Sequence, residues 1–135
     1  MKNDNLSINI RAVKKSDSIF LYNLLKERDS RANISHKKMP SMLQHEKFIQ
    51  SKPYSKWYII QNLDNDVGSI YLSKNNEIGI FLIKKNQSKG IGANALKLLM
   101  EKTPKIKYLA NVNPKNKKSI EFFKKNGFKL IQHTY

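Results

Sequence analysis

A chain of 135 residues with 39% hydrophobic content is long enough to bury one core and too short for two domains. It has no cysteine, which excludes disulfides, a thiolate-ligated metal and an acyl-cysteine intermediate. The formal charge is +16, and residues 84–135 hold thirteen of the lysines against only Glu101 and Glu121. Such a field attracts polyanions, whether nucleic acid or a phosphorylated coenzyme. An AT-rich genome would produce the same lysine excess, so charge alone does not choose. No apolar run approaches the roughly 20 residues that cross a bilayer. The opening Met-Lys-Asn-Asp-Asn lacks the apolar core of a signal peptide. A cytoplasmic, soluble domain is expected.

Ser7–Val13 alternates polar and apolar residues, the pattern of a half-buried strand. Ser16 or Asp17 can cap a helix that continues through Ile19, Phe20, Leu24 and Glu27. Arg28-Asp29-Ser30-Arg31 is expected to leave that helix for a polar loop over 29–40, which carries His36. A second helix, Ser41 to Ser51, should turn Leu43, Phe48 and Ile49 inward and stop at Lys52-Pro53. Lys56–Gln61, Val67–Ser73 and Glu77–Ile83 are three strands joined by short polar turns, an antiparallel meander.

Ile91, Ala95, Leu98 and Leu99 then fall on one face of a helix over 89–101. Lys107–Val112 reads as a strand parallel to Glu77–Ile83, because a helix connects the two. Asn116 caps a helix over Ser119–Lys125 that Gly127 ends, and Phe128–His133 is the last strand. The order is β-α-α-β-β-β-α-β-α-β: one α+β domain, residues 1–135, with a mixed sheet.

Two runs carry chemistry. Gln87-Ser88-Lys89-Gly90-Ile91-Gly92 sets backbone N–H groups at a helix N-terminus, where they lack intrahelical partners and the dipole favours an anion. Glycine lets a phosphate approach closely. The run is not a Walker loop, since Lys89 precedes its glycine, nor a Rossmann turn, since no third glycine follows Gly92. A plain strand–turn–helix explains G-x-G taken alone. The second run is Asn111 to Phe128, which taken alone is a capped helix with a glycine stop.

Gln87–Gly92 resembles the [QR]-x-x-G-x-[GA] motif of the GCN5-related N-acetyltransferases. Asn116, Ser119, Phe123, Gly127 and Phe128 match that family's N-x-x-[AS]-x-x-x-[YF]-x-x-x-G-F signature. The resemblance covers essentially the whole chain and implies the family's mixed sheet, here without its usual last strand. It implies acetyl-coenzyme A as cosubstrate and no metal. The pyrophosphate would sit on Gln87, Ser88, Lys89, Gly90, Ile91, Gly92 and Ala93. The pantetheine arm would pair like an added strand where two parallel strands part, with Asn113, Asn116, Ser119 and Phe123 beside it. Backbone N–H groups of Phe81, Leu82 and Ile83 would polarise the thioester carbonyl.

Two positions depart from the family. Many relatives have Tyr where Phe123 stands, and its hydroxyl is their proposed acid for the thiolate. The ribosomal-protein branch has a carboxylate at the position of Asn111. Glu77, starting the central strand, and His36, in the loop over the acceptor, are the candidate bases; His45 and Glu46 are weaker, and His45 more naturally packs. Tyr58 and Tyr71 could offer hydroxyls, although an aromatic in a strand usually belongs to the core.

Arg28-Asp29-Ser30-Arg31, His45, Phe48-Ile49 and Trp57-Tyr58 look like the branch that acetylates nucleotide-linked amino sugars, with Arg28, Arg31 and Tyr58 holding the acceptor. An anionic small-molecule amine is thus the expected partner. Acetylation of protein N-termini or ribosomal proteins, polyamine acetylation and a non-catalytic nucleic-acid module are the alternatives. Against the last, no recognition helix or aromatic-rich basic strand is present. Neither nucleic acid nor a membrane is expected as a partner. The missing last strand would leave an exposed edge on which a second copy could pair.

Overall fold

The computed structural model describes residues 6–32, 39–112 and 115–129, with 28–32 as backbone only. Strand β1 (Ile8–Ala12) leads through a 3₁₀ turn (Lys15–Asp17) into α1 (Ser18–Ala32), and α2 (Met42–Gln50) follows. The meander is β2 (Lys56–Asn62), β3 (Asn65–Leu72) and β4 (Ile78–Leu82). A second 3₁₀ turn (Lys84–Asn86) precedes α3 (Ile91–Lys102), and α4 (Lys117–Lys125) comes last. The four strands form one antiparallel sheet in the order β1-β2-β3-β4. No helix among the described residues is long and apolar enough to cross a membrane.

Local chemistry accounts for the ends of these elements. Ser41 and Gln44 make a reciprocal capping box on α2: Gln44 N–H donates to Ser41 Oγ at 3.1 Å, and Ser41 N–H to Gln44 Oε1 at 2.9 Å. Gly127, at φ 94°, ends α4 by sending its N–H to the Lys124 carbonyl (3.1 Å) while Phe128 N–H reaches Phe123 (2.9 Å). Asp17 does more than cap. Its carboxylate accepts from Lys14 N–H at 2.7 Å and from both Arg11 guanidinium nitrogens at 2.9 and 2.8 Å. Burial would raise the Asp17 carboxyl, but the Arg11 and Lys14 bonds outweigh it and hold it below the usual range.

Four expectations change. Helix α1 runs on to Ala32, so Arg28 and Arg31 lie inside it; no Gly or Pro interrupts 18–32, and Leu, Lys, Glu, Arg and Ala dominate it. In α2 it is His45 and Ile49 that turn inward, one helical turn apart, while Leu43 (62% exposed) and Phe48 (45%) face out. The Lys107–Val112 strand shrinks to one parallel bridge, Glu77 to Leu109. Phe128 and Lys129 are not strand, and 130–133 lie outside the described residues, as does the edge expected there.

Alternation along the strands gives the sheet two faces. On one, Ile10, Ile60, Ile70, Leu72 and Ile78 pack against Ile91, Ala95, Leu96 and Leu99 of α3 and Phe123 of α4. On the other, Ile59 packs with Leu21 of α1 and Ile49 of α2, flanked by Trp57 and Phe20.

Candidate active site

The free side of β4 decides the site. Ile78 N–H donates to the Leu109 carbonyl at 2.7 Å, and Leu109 N–H to the Asn76 carbonyl at 2.8 Å. Among the described residues no further backbone bond joins β4 to 110–112, so the two segments part beyond that bridge. Ile83 N–H instead turns back to Val67 on β3 at 2.9 Å. Backbone groups alternate in direction along a strand. Ile80 and Leu82, in phase with Ile78, therefore aim their amides into the opening, while Phe81, in phase with Ile83, faces β3. Of the expected donors Phe81–Ile83, Leu82 alone turns its N–H to this side of β4, as Ile80 does.

Past the opening comes the bend. Ser88 has φ 62° and Gly90 φ 82°, the left-handed region where a glycine is at no disadvantage. Gln87 Nε2 donates back to the Leu82 carbonyl at 3.3 Å, so its side chain braces the bend rather than reaching outward. No side chain caps α3, and its first intrahelical bond is Asn94 N–H to Gly90 O at 3.2 Å. The amides of Ile91, Gly92 and Ala93 precede that bond. Ser88, Lys89 and Gly90 are exposed, and a Cβ on Gly90 would find only Leu6 Cδ1, at 3.8 Å. The bend is open.

The two glycines divide the work. Gly92 is buried, and a Cβ there would lie 3.0 Å from the Phe122 ring of α4. Its missing side chain makes room for that ring, while its N–H belongs to the uncapped first turn. Phe123 is likewise core, 7% exposed, with its ring 5.1 Å from Phe122 and 5.0 Å from Phe128. Asn116 caps α4, its side chain accepting from Ser119 N–H at 3.2 Å. Asn113 lies outside the described residues.

Of the base candidates, Glu77 stands at the point where β4 and 110–112 begin to part, half-buried, its N–H on Ser73 Oγ at 3.0 Å. His36 lies outside the described residues. His45 is 5% exposed, edge-on to Tyr22 at 5.3 Å, and Nε2 finds no partner; burial lowers its pKa. That is a packed histidine. Tyr58 belongs to the α3 face, where it packs on the core, so it does not share a face with Trp57 and Tyr71. Among the described residues no group of three or more His, Asp or Glu could hold a metal.

Sequence reasoning missed two contributors. Ile80 offers a backbone amide, which no side-chain motif reveals. Glu27 on α1 accepts the Lys84 N–H at 2.6 Å, tying α1 to the turn that leads into the bend. On the α1/α2 face an aromatic shelf flanks β4. Tyr54 stacks on Tyr71 at 3.8 Å and 8°, Trp57 meets Tyr54 edge-on at 4.9 Å, and Phe81 lies 6.2 Å from Tyr71.

This arrangement has known counterparts. A domain from Methanocaldococcus jannaschii superposes with a TM-score of 0.80, covering 96% of this chain and 92% of that one at 23% identity. An acetyltransferase from Thermus thermophilus gives 0.78, with 96% and 92% covered at 17% identity. RimL, a ribosomal L7/L12 alpha-N-protein acetyltransferase in complex with coenzyme A, gives 0.76, with 96% and 84% covered at 19% identity. No curated protein sequence matches the chain. The acetyltransferase (GNAT) domain model matches residues 7–129. With that match over an opened sheet and an uncapped bend, the chain belongs to the GNAT family and is an acetyl-CoA-dependent N-acetyltransferase.

Proposed function

We propose that the enzyme acetylates the primary amine of an anionic small molecule, a nucleotide-linked amino sugar being the acceptor class that fits best, by direct transfer in a ternary complex. The observation that carries the coenzyme half is the opening beside Ile80 and Leu82, continuous with the uncapped first turn of α3. Amides at Ile91, Gly92 and Ala93, with Lys89 nearby, suit the diphosphate, and those of Ile80 and Leu82 suit the oxyanion that forms as the amine attacks. Asn116 caps α4 and Ser119 lies in its first turn, beside the path a pantetheine arm would take.

The acceptor half rests on charge and on the α1/α2 face. A field of +16 favours an anionic acceptor over a cationic one. Arg28 and Arg31 sit one turn apart at the end of α1, a spacing that suits a diphosphate. The shelf built on Tyr71, with Tyr54 and Trp57 at its surface, offers aromatic rings for a base or sugar. Glu77 takes the amine proton, directly or through water; His36 is the other candidate for that role.

A thiol-release screen over nucleotide amino sugars, N-terminal peptides and polyamines tests this assignment. Turnover confined to peptides would discard the sugar acceptor, and turnover of polyamines would discard an anionic one. A chain that binds acetyl-CoA yet releases no thiol with any amine would point to a non-catalytic role.

A further inference from the structure

We propose that the Tyr71 hydroxyl supplies the proton taken by the departing coenzyme A thiolate, a role the buried Phe123 ring has no hydroxyl to play. It rests on the direct-transfer reading above. Tyr71 lies on β3 opposite Gly79 of β4. A Cβ on Gly79 would collide with Cζ, Cε2 and Oη of the tyrosine ring. The ring therefore lies across the one strand position in reach that has no side chain, and its hydroxyl comes to rest on β4 rather than on its own strand. Tyr54 stacks on the ring at 3.8 Å and 8°, and Trp57, registered opposite Tyr71 on β2, is held by its Nε1–H on Ser69 Oγ at 2.8 Å. The ring has little freedom to leave.

The position along β4 matters most. Gly79 directly follows Ile78, whose N–H makes the last bond to Leu109, and directly precedes Ile80, whose amide faces the opening. One strand residue spans ~3.3 Å, so the hydroxyl sits within about a residue of where the sheet parts. An acyl group whose carbonyl is held by the Ile80 amide has its sulfur next to it in the chain of bonds. In the step, the amine lone pair forms the N–C bond to the acetyl carbon, and the C–S bond breaks with its electron pair going to sulfur. Sulfur takes the Tyr71 proton to become the thiol. The phenolate regains the proton that the attacking nitrogen, cationic once its bond to carbon has formed, gives up, relayed by Glu77 or water. The sum is amine plus thioester giving amide plus thiol, with Tyr71 unchanged.

Tyr71→Phe removes the hydroxyl and keeps the stack, so its thermal melt should match the wild type. Calorimetry should give acetyl-CoA affinity within about twofold of the parent. Ultraviolet titration of the thiol of bound coenzyme A should shift upward by about one pH unit in the variant, because a hydrogen bond that favours the thiolate is gone. Acetyl-CoA turnover should fall about 100-fold with KM unchanged. Unchanged thiol titration and turnover in a variant that still binds coenzyme A would overturn the role of Tyr71 and leave the acetyltransferase assignment standing. A wild type that binds no acetyl-CoA would overturn both.

Discussion

The two faces of the sheet are written by neighbouring residues of the same strands, and they differ in kind. Toward α3 the side chains are aliphatic and closed off: Ile60, Ile70 and Leu72 are fully buried. Toward α1 and α2 a smaller buried cluster of Ile59, Leu21 and Ile49 gives way near β4 to a half-open aromatic layer, with Tyr54, Trp57, Tyr71 and Phe81 touching at ring edges and faces. Around β4 the contrast sharpens, since Ile78, Ile80 and Leu82 pack on the closed side while Gly79 makes room on the open one for a tyrosine ring.

If that division holds, damage to the closed face should appear as lost stability. Ile70→Ala, at a site with 0% exposure, should cost about 2–5 kcal/mol by denaturant titration, from lost transfer energy and the cavity left behind. Tyr71→Phe, its chain neighbour, should cost little stability and much turnover. Comparable losses of stability at both positions would erase the distinction.

The bend offers the next largest effect. Gly90→Glu puts a carboxylate among uncapped amides and a side chain at φ 82°, so acetyl-CoA affinity should fall more than about tenfold, at a stability cost of about 1 kcal/mol. Gly92→Ala should do the reverse. Its Cβ meets the Phe122 ring at 3.0 Å, so the melt drops while affinity follows only through folding. Calorimetry beside thermal melting separates the two, and equal affinity losses would show that both glycines serve the ligand.

The open face also carries a titration. Burial lowers the pKa of His45 below its ordinary 6.5, so the unfolded chain binds the proton more readily than the folded one. Stability is therefore full above about pH 6.5 and declines as pH falls toward the lowered folded value. His45→Phe, which keeps a ring against Tyr22, should flatten the decline across that window in urea titrations. An unchanged slope would assign the acid sensitivity elsewhere, with Asp17 the next group to examine, since its lowered pKa acts at more acidic pH.

What could be read from the chain beforehand follows the range of the interactions. Caps and stops are local, so Ser41, Asn116 and Gly127 announced their helices correctly. The strand periods placed the meander to within a residue or two. The open, uncapped bend over 87–92 was legible because its amides and glycine are contiguous. What escaped depends on neighbours far along the chain. Which β4 amides face the opening follows from the pairing of Ile83 with Val67 and of Ile78 with Leu109. That Gly92 also makes room for the Phe122 ring depends on a residue thirty positions on. Leu43 and Phe48 were misplaced because α2 turns the stripe of His45 and Ile49 inward, although the packing of His45 itself was expected.

The smallest expected effect probes how the acceptor side speaks to the coenzyme side. Asn116→Ala first sets a scale: losing a cap should cost about 1 kcal/mol, and any weakening of acetyl-CoA binding beyond that marks a direct contact. Glu27 is subtler. Its carboxylate accepts the Lys84 N–H at 2.6 Å from α1, at a solvent-exposed position. In Glu27→Ala water can satisfy that N–H, so stability should change by less than about 1 kcal/mol. The turn before the bend would nevertheless lose its tether to the helix that ends in Arg28 and Arg31. KM for acetyl-CoA should rise about two- to fivefold, and Glu27→Gln, whose side-chain oxygen still accepts, should restore most of it. A rise in KM that glutamine leaves uncorrected would mean that the charge of Glu27, rather than its hydrogen bond, matters at this joint between the two faces.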